Sequence, residues 1–202
     1  NIPITMDEWH TQKQIYETHK SIPEYNYHLG LATLFLNRTN RAGIIMGGPI
    51  GGYSQESKYK LDCRFNRTDI CNKITKIASQ SHRIQLYMYN AIDLIHNVLQ
   101  QHNEQEIFIF FDPPYYKQGN KLYKNAFKHD DHIDLYQSIR EMDNYHWITT
   151  YDYCNEIAEI YNDLPAHTYT LQYSAQVIRK EKEFLYASPV TSLESFDKVI
   201  LN

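Results

Sequence analysis

Apolar residues recur along the chain in three- and four-residue steps, in alternation and in short unbroken runs, and these patterns predict its elements in order. Thr5-Met6-Asp7-Glu8 has capping-box spacing: the Thr5 hydroxyl and the Glu8 carboxylate can satisfy opposite ends of a first turn, so a helix runs to about Lys20. Ser21-Ile22-Pro23 ends it. A second helix is predicted over Tyr25 to Leu36, with Leu29, Leu31, Ala32, Leu34, Phe35 and Leu36 as its apolar surface. Asn66 can cap a third through Ala78, on which Ile70, Ile74 and Ile77 have the spacing of a core stripe. Arg83 to Tyr89 alternates as a short strand, and Asn90-Ala91-Ile92-Asp93 opens a helix to about Gln100.

Ile107-Phe108-Ile109-Phe110-Phe111 breaks with alternation. Five consecutive apolar residues, all β-branched or aromatic, predict a parallel strand buried on both faces. His146 to Asp152 predicts the next buried strand, and a helix through Ile157 and Ile160 follows. Thr168 to Tyr173 and Glu183 to Ala187 then form a closing strand pair. The fold class is therefore α/β.

Between the second and third helices the pattern fails. Glycines at 43, 47, 48, 51 and 52, with Pro49, exclude a long helix and predict a hairpin or extended loop. Gly47 to Gly52 does not read as a phosphate-binding loop, because it has no preceding buried strand, no following Lys-Ser or Lys-Thr and no helix start. Three segments result: helical 1–36, a hairpin or loop 37–66, and an α/β core 67–202.

The 202 residues, 42% hydrophobic and 22% charged, suffice for one globular domain or a large part of one. No apolar run approaches the ~18 residues of a membrane span. Asn1 to Met6 has neither the basic nor the apolar part of a secretion signal, and Cys63, Cys71 and Cys154 are scattered without zinc-type spacing, so a cytoplasmic protein with reduced thiols is expected. The net charge of −4 disfavours binding to a nucleic-acid backbone as a whole. Local charge differs: Arg38, Arg41, Lys58, Lys60, Arg64 and Arg67 make 37–67 basic, and Arg179, Lys180 and Lys182 form a second cluster. Two ordinary solvated loops would carry the same residues.

Candidate chemistry concentrates where the apolar run ends. Asp112 stands at the carboxyl end of the strand, where open α/β sheets hold ligands. Pro113 and Pro114 remove two backbone donors and stiffen the turn beside Tyr115 and Tyr116. This suits attack by a planar amino group. The exocyclic amine of a nucleobase is a poor nucleophile, its lone pair being delocalised, and it offers two hydrogens. Asp112 can accept one and a carbonyl of the Pro113-Pro114 turn the other, while Tyr115 offers a stacking face worth ~1–3 kcal/mol per base. That helps offset the few kcal/mol for taking a base out of a duplex. The plainer alternative is a strand-ending turn, for which Asp-Pro is a common starter. Lys117 to Lys128 is polar, contains Gly119 and predicts a loop over the site, where Tyr123 and Phe127 could close on a base or anchor the loop. His129-Asp130-Asp131-His132 suits a helix start better than a metal pair, since no further ligands lie nearby in sequence.

Asp112-Pro113-Pro114-Tyr115 resembles the catalytic motif of amino-group DNA methyltransferases. With it, Leu36 to Ile44, Gly48 to Gly52, Tyr59 to Asn66 and Tyr173 to Gln176 resemble the Dam-type adenine-specific family in the same order, over nearly the whole chain. The resemblance implies the carboxyl-terminal portion of a Rossmann-like, S-adenosylmethionine-dependent methyltransferase sheet with a helical and hairpin target-recognition insertion. It implies a DNA adenine methyltransferase acting with base flipping in a restriction-modification setting, with S-adenosylmethionine as methyl donor and double-stranded DNA as partner. Asp112, Pro113, Pro114 and Tyr115 become the catalytic residues; Asn90 and Asp112 the donor-binding ones; Arg38, Asn40, Arg41 and Lys58 the DNA contacts. The family commonly has Asp where Asn90 stands, and a simple helix cap would serve equally there. A Phe-x-Gly-x-Gly donor cradle and a preceding lysine segment are not found. The chain is thus expected to be weak or inactive alone, its partner being a missing amino-terminal portion or a second subunit. Transfer to the cytosine amine and a catalytically silent DNA-binding or assembly module are the alternatives.

Overall fold

The computed structural model describes residues 2–22, 24, 26–117, 127–173, 179–197 and 199–202. The chain forms two compact units, Asn1–Gln85 and Leu86–Asn202.

In the first unit, helix α1 (Met6–His19) starts as the sequence predicts, with the Thr5 hydroxyl accepting from the Glu8 N–H at 3.2 Å. Helix α2 (Tyr27–Thr39) starts later and ends later than expected. Asn26 caps it, accepting from the Leu29 N–H at 3.1 Å, and the Asn40 N–H closes its last turn on the Leu36 carbonyl at 2.8 Å. Trp9, Phe35, Leu36 and Leu61 form the buried core of this unit. Helix α3 (Arg67–Ala78) has the predicted Asn66 cap, accepting from the Asp69 N–H at 3.1 Å. The expected core stripe is not buried, however: Ile74 and Ile77 are 48% and 60% exposed. Helical spacing puts them on one face, but burial needs a facing element, and between α2 and α3 there is a groove lined by Leu31, Phe35, Ile70 and Ile74.

Residues 84–89 do not form the expected strand, and Leu86 and Met88 are about nine-tenths exposed. Alternation supplies propensity, whereas a strand exists only through a hydrogen-bonded ladder, and these residues have no ladder partner among the described residues. Asn90 does cap the predicted helix, α4 (Ala91–Asn97).

The second unit is built on a four-stranded mixed sheet. Strands β1 (Phe108–Phe111) and β2 (His146–Asp152) are parallel, connected through helix α5 (His129–Arg140). Helix α6 (Asn155–Ile160) follows β2, and the antiparallel pair β3 (His167–Tyr173) and β4 (Arg179–Ala187) completes the sheet in the order β1-β2-β4-β3. Ile95 of α4 and Leu135 and Ile139 of α5 pack with Ile109, Phe111, Trp147 and Tyr151 in its core. Among the described residues, strand β1 is covered on one face only, contrary to the sequence expectation. Ile109 and Phe111 are buried, while Phe108 and Phe110 are 59% and 56% exposed. An unbroken apolar run permits burial on both sides; here helices supply one of them, and β1 is also the sheet's edge strand.

Candidate active site

Parallel pairing of Phe111 with Thr149 carries the chain out of the sheet at Asp112. Its carboxylate is exposed and has no hydrogen-bond partner among the described residues, whereas Pro113 is buried and Pro114 and Tyr115 are half-buried. The rest of the turn is held from below. Asp152, at the end of β2 and only 9% exposed, reaches over to accept the Tyr116 N–H at 2.8 Å on one oxygen and the Lys117 N–H at 2.9 Å on the other. The Tyr115 hydroxyl donates to Glu183 Oε1 of β4 at 2.8 Å. Sequence reasoning passed over Asp152 and Glu183. A signal existed for the first, an acidic residue ending the strand that follows the Asp112 strand; for the second, local sequence carries none.

The next layer is aromatic. The Tyr116 hydroxyl lies 3.1 Å from His129 Nδ1, and its ring centroid is 5.1 Å from that of His132. His132 is buried, with Nδ1 3.1 Å from the Tyr151 hydroxyl. Burial holds its imidazole below the ordinary histidine range, against the opposing pull of Asp152 and Asp131. The two histidines of the predicted helix start thus brace the turn after Asp112, and Asp131 caps α5 by accepting the Lys128 N–H at 2.6 Å. No three His, Cys, Asp or Glu side chains converge as a metal site among the described residues.

Two adjoining hollows open beside Asp112. One, of about 400 Å³, runs from Leu94 and Leu99 along Phe108 and Phe110 to Asp112, Pro113 and Pro114. The other, of about 310 Å³, is lined by Asn90, Ile92, Asp131 and Asp134, and both share Ala91, Phe127 and Leu135. Asn90 and Asp112 are therefore brought to one continuous surface, within the size range of small-molecule sites. The Asn90 side chain caps α4, accepting the Asp93 N–H at 2.8 Å and donating to Asp93 Oδ2 at 2.6 Å. Residues 118–126, including Tyr123, and 174–178 lie outside the described residues. Arg179, Lys180 and Lys182 belong to strand β4 rather than to a loop.

The predicted DNA-contact residues divide in the first unit. Arg41 and Lys58 are exposed, and the Lys58 ammonium lies 5.7 Å from the centroid of the Tyr59 ring. The Arg38 guanidinium donates through Nε to the Arg64 carbonyl at 3.0 Å. Asn40 is corrected by the structure: it is completely buried and its amide organises the loop. Its Oδ1 accepts the Trp9 indole N–H at 2.7 Å, and Nδ2 donates to the carbonyls of Ile44 and Ile45 at 3.0 and 2.9 Å. Its oxygen and both amide hydrogens are engaged internally, and the buried side chain is withdrawn from any base edge. Instead of a strand hairpin the loop is a series of turns closed by one bridge, Asn40 to Pro49, and further on by Gln55, which donates to the Ile50 carbonyl at 2.7 Å and accepts the Leu61 N–H at 2.9 Å. Gly51 has a φ of 88°, and a Cβ there would stand 2.9 Å from the Tyr59 carbonyl, so only glycine fits without strain. Asn40→Ala is expected to destabilise the protein by about 2–3 kcal/mol, because it leaves a buried indole N–H and two carbonyls unpaired. Arg41→Ala should change stability by less than about 0.5 kcal/mol. Urea unfolding followed by tryptophan fluorescence compares the two; equal, small losses would refute the organising role of Asn40.

A parallel strand delivering an acidic, proline-stiffened turn to the open rim of a mixed sheet defines an α/β protein with its candidate site at a strand's carboxyl end. More particularly, residues 7–178 match the family described as D12 class N6 adenine-specific DNA methyltransferase, and the chain belongs to that family. No individual curated protein matches the sequence.

Proposed function

We propose that this chain carries the catalytic turn and target-recognition loop of an enzyme that methylates the exocyclic 6-amino group of adenine in double-stranded DNA, with the base flipped out of the helix. The observation that supports this reading best is the Asp112 carboxylate, exposed and unpartnered among the described residues, on a turn whose following residues are held by Asp152. Asp112 accepts one amine hydrogen, a carbonyl of the Pro113-Pro114 turn accepts the other, and the ring of Tyr115 receives the flipped base. Drawing on both hydrogens returns electron density to the nitrogen and orients it, which is positioning and acid-base work rather than covalent catalysis. Bound S-adenosylmethionine would supply an electrophilic methyl group. Asn90 and Asp112 would hold it, and the apolar groove beside Phe110 with the neighbouring carboxylates of Asp131 and Asp134 suits an aromatic ring carried with a positive charge. Arg38, Arg41 and Lys58 are the proposed DNA contacts, with 1–36 as helical support, 37–66 as recognition loop and 67–202 as catalytic part, whose sheet belongs to the unit Leu86–Asn202.

The strand order, with an antiparallel β4 inserted beside β2, supports the carboxyl-terminal half of a Rossmann-like sheet. On this reading the unpaired edge of β1 and exposed Phe108 and Phe110 take a further strand, from a glycine-rich donor-binding portion or a second subunit. The setting is cytoplasmic, within restriction and modification; Cys63, Cys71 and Cys154 are free thiols, which suits a reducing compartment. Transfer is therefore expected to be weak from this chain alone. The test incubates unmodified duplex DNA with labelled S-adenosylmethionine and the chain, alone and within its full reading frame, then digests the DNA to nucleosides. Label in 6-methyladenine is the expected result. Label in 4-methylcytosine would move the assignment to the cytosine amine, and DNA binding without label in either preparation would leave a binding module.

A further inference from the structure

We propose that Glu183 is a positioning residue for Tyr115, forming with Asp152 a two-carboxylate clamp that presets the plane on which the target base stacks; the assignment rests on the methyltransferase reading. Glu183 lies beyond the family-matched residues 7–178. Pairing of β2 with β4 places it directly opposite Asp152, and pairing of β3 with β4 places it opposite Tyr169, so the three side chains share one face of the sheet. Both carboxylates are withdrawn from water, Glu183 being 2% and Asp152 9% exposed. Two acidic groups facing each other in the interior are unfavourable unless donors converge on them.

The donors that converge come mainly from the catalytic turn. Tyr116 and Lys117 give their backbone N–H groups to Asp152, Tyr115 gives its hydroxyl to Glu183 Oε1 at 2.8 Å, and Tyr169 gives its hydroxyl to Oε2 at 2.6 Å. The consequence for Tyr115 is geometric. A half-buried tyrosine held only by its backbone can still rotate about its first two side-chain bonds. Fastening the para oxygen at one end and the succeeding amides at the other removes that freedom and fixes the plane of the ring. Glu183 touches neither base nor donor in this scheme; it acts through Tyr115.

The experiment is a double-mutant cycle on single-turnover methyl transfer and on DNA affinity, using Glu183→Leu, Tyr115→Phe and their combination, in the preparation in which wild-type transfer is observed. Each single variant is expected to lose ~10-fold in transfer rate, in the range known for small misplacements of reacting groups, with DNA affinity changed less than about twofold. The combination should be no slower than the slower single variant, because both changes remove the same Tyr115–Glu183 hydrogen bond, Glu183→Leu removing the Tyr169 bond besides. Glu183→Gln, which still accepts the Tyr115 hydroxyl, should recover most of the rate. Additive losses, or full rate in folded Tyr115→Phe, would overturn the clamp, and the latter holds even if Glu183→Leu fails to fold. A wild-type protein that transfers no methyl group would instead overturn the enzyme reading. The clamp is judged separately by nuclear magnetic resonance on selectively labelled tyrosine. A Tyr115 hydroxyl proton protected in wild type and lost in Glu183→Leu supports it, and identical Tyr115 signals in the two refute it.

Discussion

Asp112→Ala is expected to lower methyl transfer by ~10²–10⁴-fold, the range of a positioned proton acceptor, while changing DNA affinity less than about twofold. The separation follows from where Asp112 stands. Its carboxylate is exposed and unpartnered among the described residues, so alanine orphans no buried donor and leaves the sheet untouched. What disappears is the acceptor that draws the amine toward reactive geometry. Asp112→Asn retains an acceptor oxygen without the charge and should fall between alanine and wild type. Single-turnover transfer and fluorescence-anisotropy titration of labelled duplex DNA read the two quantities independently. Parallel loss of binding and transfer in a folded variant would remove Asp112 from the catalytic role.

Asp152→Ala acts on stability first and on the turn as a result. Two backbone donors, at Tyr116 and Lys117, lose a buried carboxylate, and hydrogen bonds to charged groups contribute about 1.5–3 kcal/mol each. Removing one of two facing acidic groups gives some of this back, so the net loss should be about 3 kcal/mol. Transfer should fall ~10²-fold as the turn loosens around Tyr115. Urea unfolding with circular dichroism measures the first effect and single-turnover kinetics the second. A stability change below about 0.5 kcal/mol would mean that the turn is rigid without its anchor.

The contrast between these two residues marks how far the sequence could be read. Asp112 is legible because everything that defines it is local: an apolar run, its abrupt end, two prolines, an aromatic. The caps at Thr5, Asn66 and Asn90 are legible for the same reason, each being satisfied by an amide three residues away. Asp152 reaches back 35 or 36 residues and Glu183 reaches 68, and such distances are bridged only after strands have found their register. Asn40 shows the same limit in reverse. Beside arginines in a glycine-rich loop an asparagine has the chemistry to read a base, but an indole 31 residues upstream takes its oxygen.

By itself, the sequence determined the caps at Thr5, Asn66 and Asn90, the parallel and closing strands, the proline-stiffened turn at Asp112 and the family, because propensity, capping and turn chemistry are settled among near neighbours. The tertiary structure alone decided which apolar faces are covered: it leaves Ile74, Ile77, Phe108 and Phe110 exposed and, among the described residues, residues 84–89 outside any strand ladder. It also decided which buried groups grip the turn. Burial and pairing are properties of two surfaces meeting, and a pattern along one chain segment specifies only one of them.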